Sequence, residues 1–172
     1  MRAYHSAVFA LVALTLEALP LAAQDGKTVE VTPYVAVGSA AAPPLGAAVT
    51  FPVTSTLSVE ADVAYRREGR IHALSSSASL LYGLPRVGQA TPYVAAGVGL
   101  SQYGAPIFSS GGPPVGTQRR VAMTVNAGGG MKMPVTETLD LRTDARWFKS
   151  VGAQGSEQFR VAQGLSFDVG RR

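Results

Sequence analysis

From residue 29 onward, apolar and polar residues alternate with a period of two, and no stretch holds the helical period of about 3.6 residues. Eight runs carry this pattern: residues 29–38, 45–53, 57–66, 71–84, 92–103, 121–135, 139–148 and 159–169. Most hold the roughly ten residues that a tilted strand needs to cross a bilayer. The expected elements are therefore eight strands, and the expected class is all-β.

The parity is clearest in three runs. Leu57, Val59, Ala61, Val63 and Tyr65 share one face, against Ser58, Glu60, Asp62, Ala64 and Arg66 on the other. Leu139, Leu141, Thr143, Ala145 and Trp147 oppose Asp140, Arg142, Asp144, Arg146 and Phe148. Phe159, Val161, Leu165, Phe167 and Val169 oppose Arg160, Ala162, Gly164, Ser166 and Asp168.

Alternation alone does not say which face is inside. A soluble barrel or sandwich buries the apolar face, whereas a membrane barrel turns it to lipid and lines its lumen with polar groups. Three features favour the membrane arrangement. The polar faces carry both charge signs at close spacing, which suits ion pairing in a lumen. The apolar faces are Val, Leu and Ala, with few aromatics to fill a thick core. Tyr65, Tyr82 and Trp147 sit at run ends, where an interfacial girdle belongs.

The connections point the same way. The turns at 54–56 and 136–138 are tight, while 104–118 reads as a long Gly-, Pro- and Ser-rich loop. With a periplasmic N-terminus, segments 39–43, 67–70, 104–118 and 151–157 fall outside the cell. The second hairpin, GAAVTFPVTSTLSVEADVAY from Gly46, matches GGGMKMPVTETLDLRTDARW from Gly128, so that Glu60 aligns with Arg142 and Asp62 with Asp144. Thr32-Pro33-Tyr34-Val35-Ala36 recurs as Thr91-Pro92-Tyr93-Val94-Ala95. The chain reads as two related four-strand halves, and an even strand count lets a barrel close with both termini on one side.

The start of the chain departs from this pattern. Arg2 precedes an apolar stretch from Ala7 to Leu19, and the small residues Ala22 and Ala23 precede Gln24. This is the layout of a secretory signal peptide. The expected division is a cleaved leader over residues 1–23 and a barrel domain over 24–172.

Composition narrows the chemistry. The 172 residues contain no cysteine, which excludes a disulfide scaffold, a thiolate metal site and a cysteine nucleophile. The net charge is +4 with only 15% charged residues, and the excess is local, in Arg66-Arg67, Arg119-Arg120 and Arg171-Arg172. Such pairs suit anionic headgroups or solvated loops, and without a basic helix a nucleic-acid partner is not expected.

The segments TPYVAAGVGLSQYG from Thr91 and NAGGGMKMPVTETLDLRTDARWF from Asn126 resemble the small outer-membrane β-barrel family that includes OmpA- and OmpX-like proteins. The resemblance covers the chain beyond the leader. It implies an eight-stranded antiparallel up-and-down transmembrane barrel, periplasmic termini and insertion by the barrel assembly machinery. Many members end on an aromatic residue, whereas here Phe167 is followed by Asp168-Val169-Gly170-Arg171-Arg172.

The polar-face residues Glu60, Asp62, Arg66, Lys132, Asp140, Arg142, Asp144, Arg146, Arg160 and Asp168 are expected to form a lumenal ion-pair network. An eight-stranded interior is filled by side chains or holds one small ligand. Tyr103, Ile107, Phe108, Arg119 and Arg120, in the long outer loop and at its ends, are the candidate recognition residues. His72 is the only histidine beyond the leader, and Leu74 stands where lipid-deacylating barrels place a Ser two residues after the His. No catalytic activity, cofactor or metal is expected.

The expected role is thus a structural or surface-interacting barrel of the outer membrane, surrounded by its lipids and monomeric, with an extracellular ligand as a further partner. Three alternatives stay open: a narrow channel or small-ligand transporter, a soluble periplasmic lipocalin-like binder with reversed faces, and an outer-leaflet lipid-modifying enzyme.

Overall fold

The computed structural model describes residues 28–39, 42–108, 114–152 and 156–169. The leader and cleavage site expected over residues 1–23 lie outside the described residues. Eight strands follow one another: β1 (Val29–Gly38), β2 (Leu45–Pro52), β3 (Leu57–Glu68), β4 (Ile71–Gly83), β5 (Thr91–Phe108), β6 (Pro114–Pro134), β7 (Leu139–Val151) and β8 (Glu157–Val169). Each pairs antiparallel with the next, and β8 pairs with β1 from Val29↔Val169 to Gly38↔Arg160, which closes the barrel.

The eight runs read from the alternation correspond to these strands. The register then decides which face is inside. Glu60, Asp62 and Ala64 of β3 are buried, Ala61 and Val63 between them are half-buried, and Val59 and Tyr65 on either side are exposed. Val35, Val37, Leu80, Val94, Val98 and Met123 are likewise exposed on the outside. Polar groups fill the lumen and Val, Leu and Met clothe the exterior, which is the membrane-barrel arrangement. The soluble binder with reversed faces is not the fold observed.

Aromatics ring the apolar band at both ends. Tyr82 and Phe167 are exposed near one rim, and Tyr65, Trp147 and Phe159 near the other. Tyr82 lies opposite Leu57 and Leu74 opposite Tyr65, so the two girdles are eight residues apart along the β3–β4 ladder. At about 3.3 Å per residue and a tilt near 40°, that is a band of roughly 20 Å, close to the apolar belt of outer-membrane barrels.

Three turns share an end with the start of β1 and the end of β8. The turn after β2 and the turn after β6 are built alike. Val53 and Thr54 N–H donate to the Leu57 carbonyl at 2.8 and 2.9 Å, and Val135 and Thr136 donate to Leu139 at 2.8 and 3.0 Å. The repeated PVT-x-TL sequence therefore encodes a repeated turn. At the opposite end, β3 and β4 are joined by two residues only, and Gly69 takes φ +58°, as the first position of such a hairpin requires.

The long loop expected over residues 104–118 is corrected. β5 continues to Phe108 and β6 begins at Pro114, so only residues 109–113 separate them. The Gly and Pro content suggested a loop, but Tyr103, Ile107, Thr117 and Val121 are strand formers and pair across the ladder. The two ends therefore differ in strand extension more than in loop length. β5 and β6 run past their outer neighbours, since β4 stops pairing at His72↔Gly104 and β7 at Val151↔Met123.

Candidate functional site

The lumen holds the polar machinery of this molecule. Strand parity aims β1, β2, β3, β6, β7 and β8 even-numbered residues inward, with odd-numbered residues inward on β4 and β5. At mid-height this places three carboxylates and three guanidiniums within reach of one another.

Arg146 is, with Glu60, the best-enclosed of them, at 1% exposure. Its NH2 donates to Glu60 Oε1 at 2.6 Å and to Asp144 Oδ2 at 2.9 Å, and its Nε approaches Asp144 Oδ1 at 2.8 Å. Arg142 NH1 meets Glu60 Oε2 at 2.5 Å, its NH2 meets Asp144 Oδ2 at 3.3 Å, and its Nε donates to Tyr93 Oη at 2.7 Å. Thr50 Oγ1 completes the coordination of Glu60 at 3.2 Å. Ser79 accepts from Arg146 at 3.3 Å and donates to Asn126 Oδ1 at 3.2 Å. A charged group inside a barrel is tolerable only when its lone pairs and protons are taken up this way.

The second cluster lies beside the first. Tyr34 donates to Asp62 Oδ2, and Arg160 NH1 reaches Tyr34 Oη at 2.9 Å and Asp62 Oδ1 at 3.2 Å. The Arg160 guanidinium also stacks over the Tyr34 and Phe148 rings, at 5.0 and 4.7 Å from their centroids.

The two tyrosines need room that neighbouring strands provide. Tyr34 pairs with Gly46 on one side and Gly164 on the other, and Tyr93 with Gly130 and Gly83. A Cβ at Gly46 would overlap the Tyr34 ring end and stand 2.6 Å from the Val63 carbonyl oxygen, and one at Gly130 would overlap the Thr143 carbonyl oxygen and stand 2.5 Å from Tyr93 Oη. Glycine is required at both positions by the ring that lies across the lumen and by the close approach of the neighbouring strand.

These clusters divide the lumen into compartments. Between them the free space is about 10 Å³. On the terminal side lies a cavity of about 290 Å³ lined by Glu30, Arg86, Lys132 and Asp140 among others. On the opposite side lies a cup of about 70 Å³ lined by Arg66, Ser101, Tyr103, Thr124 and Arg160 among others.

Of the ten residues expected in the network, Glu60, Asp62, Arg142, Asp144, Arg146 and Arg160 come together at mid-height. Four lie elsewhere. Lys132 pairs with Glu30 in the terminal cavity, where Asp140 also sits. Asp168 stands opposite Glu30 across the β1–β8 ladder. Arg66 lines the opposite cup, several residues up β3 from Asp62, where the strand has left the cluster. Tyr34, Tyr93 and Glu30 were missed. A tyrosine does not register as polar in an alternation pattern, although the TPY repeat marked both positions.

Of the recognition candidates, Ile107 and Phe108 are exposed at 46% and 54%, and Arg119 and Arg120 are exposed on β6. These four belong to the extended hairpin, not to a loop. Tyr103 instead points inward, where it accepts from Gln158 Nε2 at 2.9 Å. His72 lies on the outer surface, its Nδ1 2.7 Å from Tyr65 Oη. Ser75, Ser77 and Ser79 share the opposite, lumenal face, and Ser76 shares the face of His72. Among the described residues no cluster of His, Asp and Glu suits a metal ion.

An eight-stranded closed antiparallel barrel with an apolar exterior and an ion-paired lumen is the fold of the small outer-membrane β-barrels. Solved structures agree. The N-terminal β-barrel domain of Pseudomonas aeruginosa OprF is similar at a TM-score of 0.64 and 18% identity, over 83% of this chain and 97% of that one. Neisserial surface protein A is similar at 0.62 and 14% identity, over 83% and 96%. The outer membrane enzyme PagL is similar at 0.50 and 16% identity, over 81% and 99%. No family model and no curated protein matches the chain. The similarity to PagL corrects one expectation. The absence of catalysis expected from Leu74, which stands two residues after His72 where lipid-deacylating barrels carry a Ser, does not follow from the fold, because this same architecture is that of an enzyme. Fold does not exclude catalysis here.

Proposed function

We propose that this protein is an integral, non-conducting barrel of the bacterial outer membrane that presents its β5–β6 hairpin at the cell surface as an interaction element. The observation that carries this reading is the mid-lumen seal. The space among Glu60, Asp62, Arg142, Asp144, Arg146 and Arg160 is about 10 Å³, no more than a single water needs. An ion entering it would have to separate buried charge pairs, each of which is costly to break.

The terminal end faces the periplasm in this reading, and the β5–β6 extension faces outward with Ile107, Phe108, Arg119 and Arg120 exposed on it. Lipids contact the band of Val, Leu and Met between the aromatic girdles. The barrel assembly machinery inserts the chain, and the closed sheet leaves the main barrel without a free edge, as a monomer requires.

Planar-bilayer recording of the refolded protein tests the reading. No reproducible openings are expected across the physiological voltage range. Regular openings of fixed size would replace it with the channel reading.

A further inference from the structure

We propose that the cup above the mid-lumen seal is a binding site for a small solute bearing an oxyanion, a phosphate or a carboxylate group, with Arg66 as its cationic anchor. The site lies inside the outer half of the barrel. It uses the proposed orientation only for the word "outer", and does not depend on whether the lumen conducts.

The first argument is charge. The mid-lumen clusters are balanced, with Glu60, Asp62 and Asp144 against Arg142, Arg146 and Arg160. Lys132 in the terminal cavity is likewise matched by Glu30. Arg66 lines the cup and has no ion-pair partner among the described residues, and no carboxylate lines the cup with it. Segments 40–41, 109–113 and 153–155 contain no Asp or Glu.

The second argument is hydrogen bonding. Tyr103 accepts from Gln158, so its own proton is left to donate. Ser101 and Thr124 are buried at 9% and 5% exposure, line the cup, and have no side-chain partner among the described residues. Arg160 forms the floor. It is nine-tenths buried, and its Nε has no acceptor although its NH1 is engaged by Tyr34 and Asp62. The cup thus offers several donors and no anionic acceptor. Its volume of about 70 Å³ is several times the 10–15 Å³ that one water needs, and suits a group the size of phosphate or carboxylate. Such charge-assisted contacts are the stronger class of hydrogen bond.

The third argument is the field at the mouth. Arg66, Arg67, Arg70, Arg119, Arg120 and Lys149 stand at this end against Glu68 and Glu157, six cations to two carboxylates. Low-dielectric walls with one dominant sign focus that field and raise the local concentration of anions.

The test is a titration of the refolded full chain in neutral detergent, followed by NMR of the Tyr103 and Gln158 signals. Inorganic phosphate and acetate are the probes, with chloride at equal ionic strength as control. A saturable shift with phosphate alone assigns a phosphoryl solute, with acetate alone a carboxylate solute, and with both the shared chemistry. Arg66→Gln is expected to weaken binding about tenfold or more, and Arg67→Gln less than twofold. Ser101→Leu keeps every charge and fills the cup, so it is expected to abolish binding, which keeps the proposal testable if Arg66→Gln does not fold. No saturable shift up to ~50 mM, a worst-case affinity still measurable by this route, overturns the site. So does an equal shift with chloride, or equal losses in the two arginine variants, since either would reduce the effect to rim charge.

Discussion

Tyr93 donates its hydroxyl proton to Asp144 Oδ2 at 2.6 Å, and in the other half of the barrel Tyr34 donates to Asp62 in the same way. The two pairs occupy equivalent places in the internal repeat, β1 to β3 and β5 to β7. Each tyrosine also carries an arginine over its ring at 5.0 Å, Arg142 on Tyr93 and Arg160 on Tyr34. The pseudo-twofold axis therefore runs along the lumen. Residues related by such an axis face each other across it, and two like charges there would repel. Glu60 and Arg142 are repeat equivalents of opposite sign, and they pair at 2.5 Å. Divergence of the two halves at this position makes an ion pair the central link of the seal, whereas the equivalents Asp62 and Asp144 keep the same sign and are each paired with an arginine.

Glu60→Gln is accordingly expected to destabilise the barrel by about 3–5 kcal/mol, because it leaves Arg142 and Arg146 to share the single carboxylate of Asp144 in a site where Glu60 is 1% exposed. Arg142→Gln is expected to cost a similar amount. The double variant is expected to lose less than the two singles together, with a coupling of roughly 1–3 kcal/mol. Urea unfolding of the protein in lipid vesicles measures all three. Strict additivity would mean that the pair does not act as a unit.

On the proposed non-conducting reading, the same seal sets permeability. Replacing Glu60, Arg142 and Arg146 together by Ser removes both charge and bulk from the compartment of about 10 Å³ and joins the two cavities on either side. Small ohmic openings are expected from this triple variant in planar bilayers, against silence from the parent. A silent triple variant that still shifts in mobility on boiling would show that some other group closes the lumen.

Each lumenal tyrosine lies against a glycine of the next strand. Gly46→Ala places a methyl group against the Tyr34 ring and the Val63 carbonyl, and Gly130→Ala places one against Tyr93 and the Thr143 carbonyl. Each is expected to cost about 1–3 kcal/mol through overpacking, and Tyr34→Ala is expected to relieve the Gly46 variant in part. Equal losses with and without the tyrosine would trace the effect to backbone alone.

Much of this architecture was legible in the chain. Period-two alternation located all eight strands, because a residue facing lipid and its neighbour facing the lumen differ so sharply in polarity. Charge spacing on β3, β7 and β8 identified the six residues that meet at mid-height. Three things were not legible. Alternation does not report height along the axis, so Arg66, Lys132, Asp140 and Asp168 were grouped with a cluster they do not join. Tyr34 and Tyr93 count as apolar although their hydroxyls bridge Asp and Arg. Gly and Pro between Gly104 and Gln118 suggested a loop, whereas cross-strand pairing carries the hairpin through them.

Trp147 gives a direct probe of membrane depth, as the chain contains one tryptophan. It lies in the girdle with Phe159 across from it, 38% exposed on the outer surface. In vesicles of brominated lipids its fluorescence is expected to be quenched most by bromines near the headgroups and about half as much by those near the acyl-chain ends. Absence of quenching by any of them would place Trp147 away from lipid and overturn the assignment of this face to the bilayer.

Orientation can be read with single cysteines, since the sequence has none of its own. Thr117 is exposed on the β6 extension, and Ser55 is exposed in the turn between β2 and β3 at the terminal end. On intact cells, a maleimide attached to a polyethylene glycol too large to cross the outer membrane is expected to label Thr117→Cys nearly completely and to leave Ser55→Cys unmodified. Lysis is expected to make Ser55→Cys fully reactive. The labelled species shifts on a gel by the mass of the polymer, so the readout does not depend on any activity. The reverse pattern would put the termini outside, and with them the terminal cavity of Glu30, Lys132 and Asp140. The cup of Arg66 and Tyr103 would then open to the periplasm, its donors unchanged but its solute drawn from the other compartment.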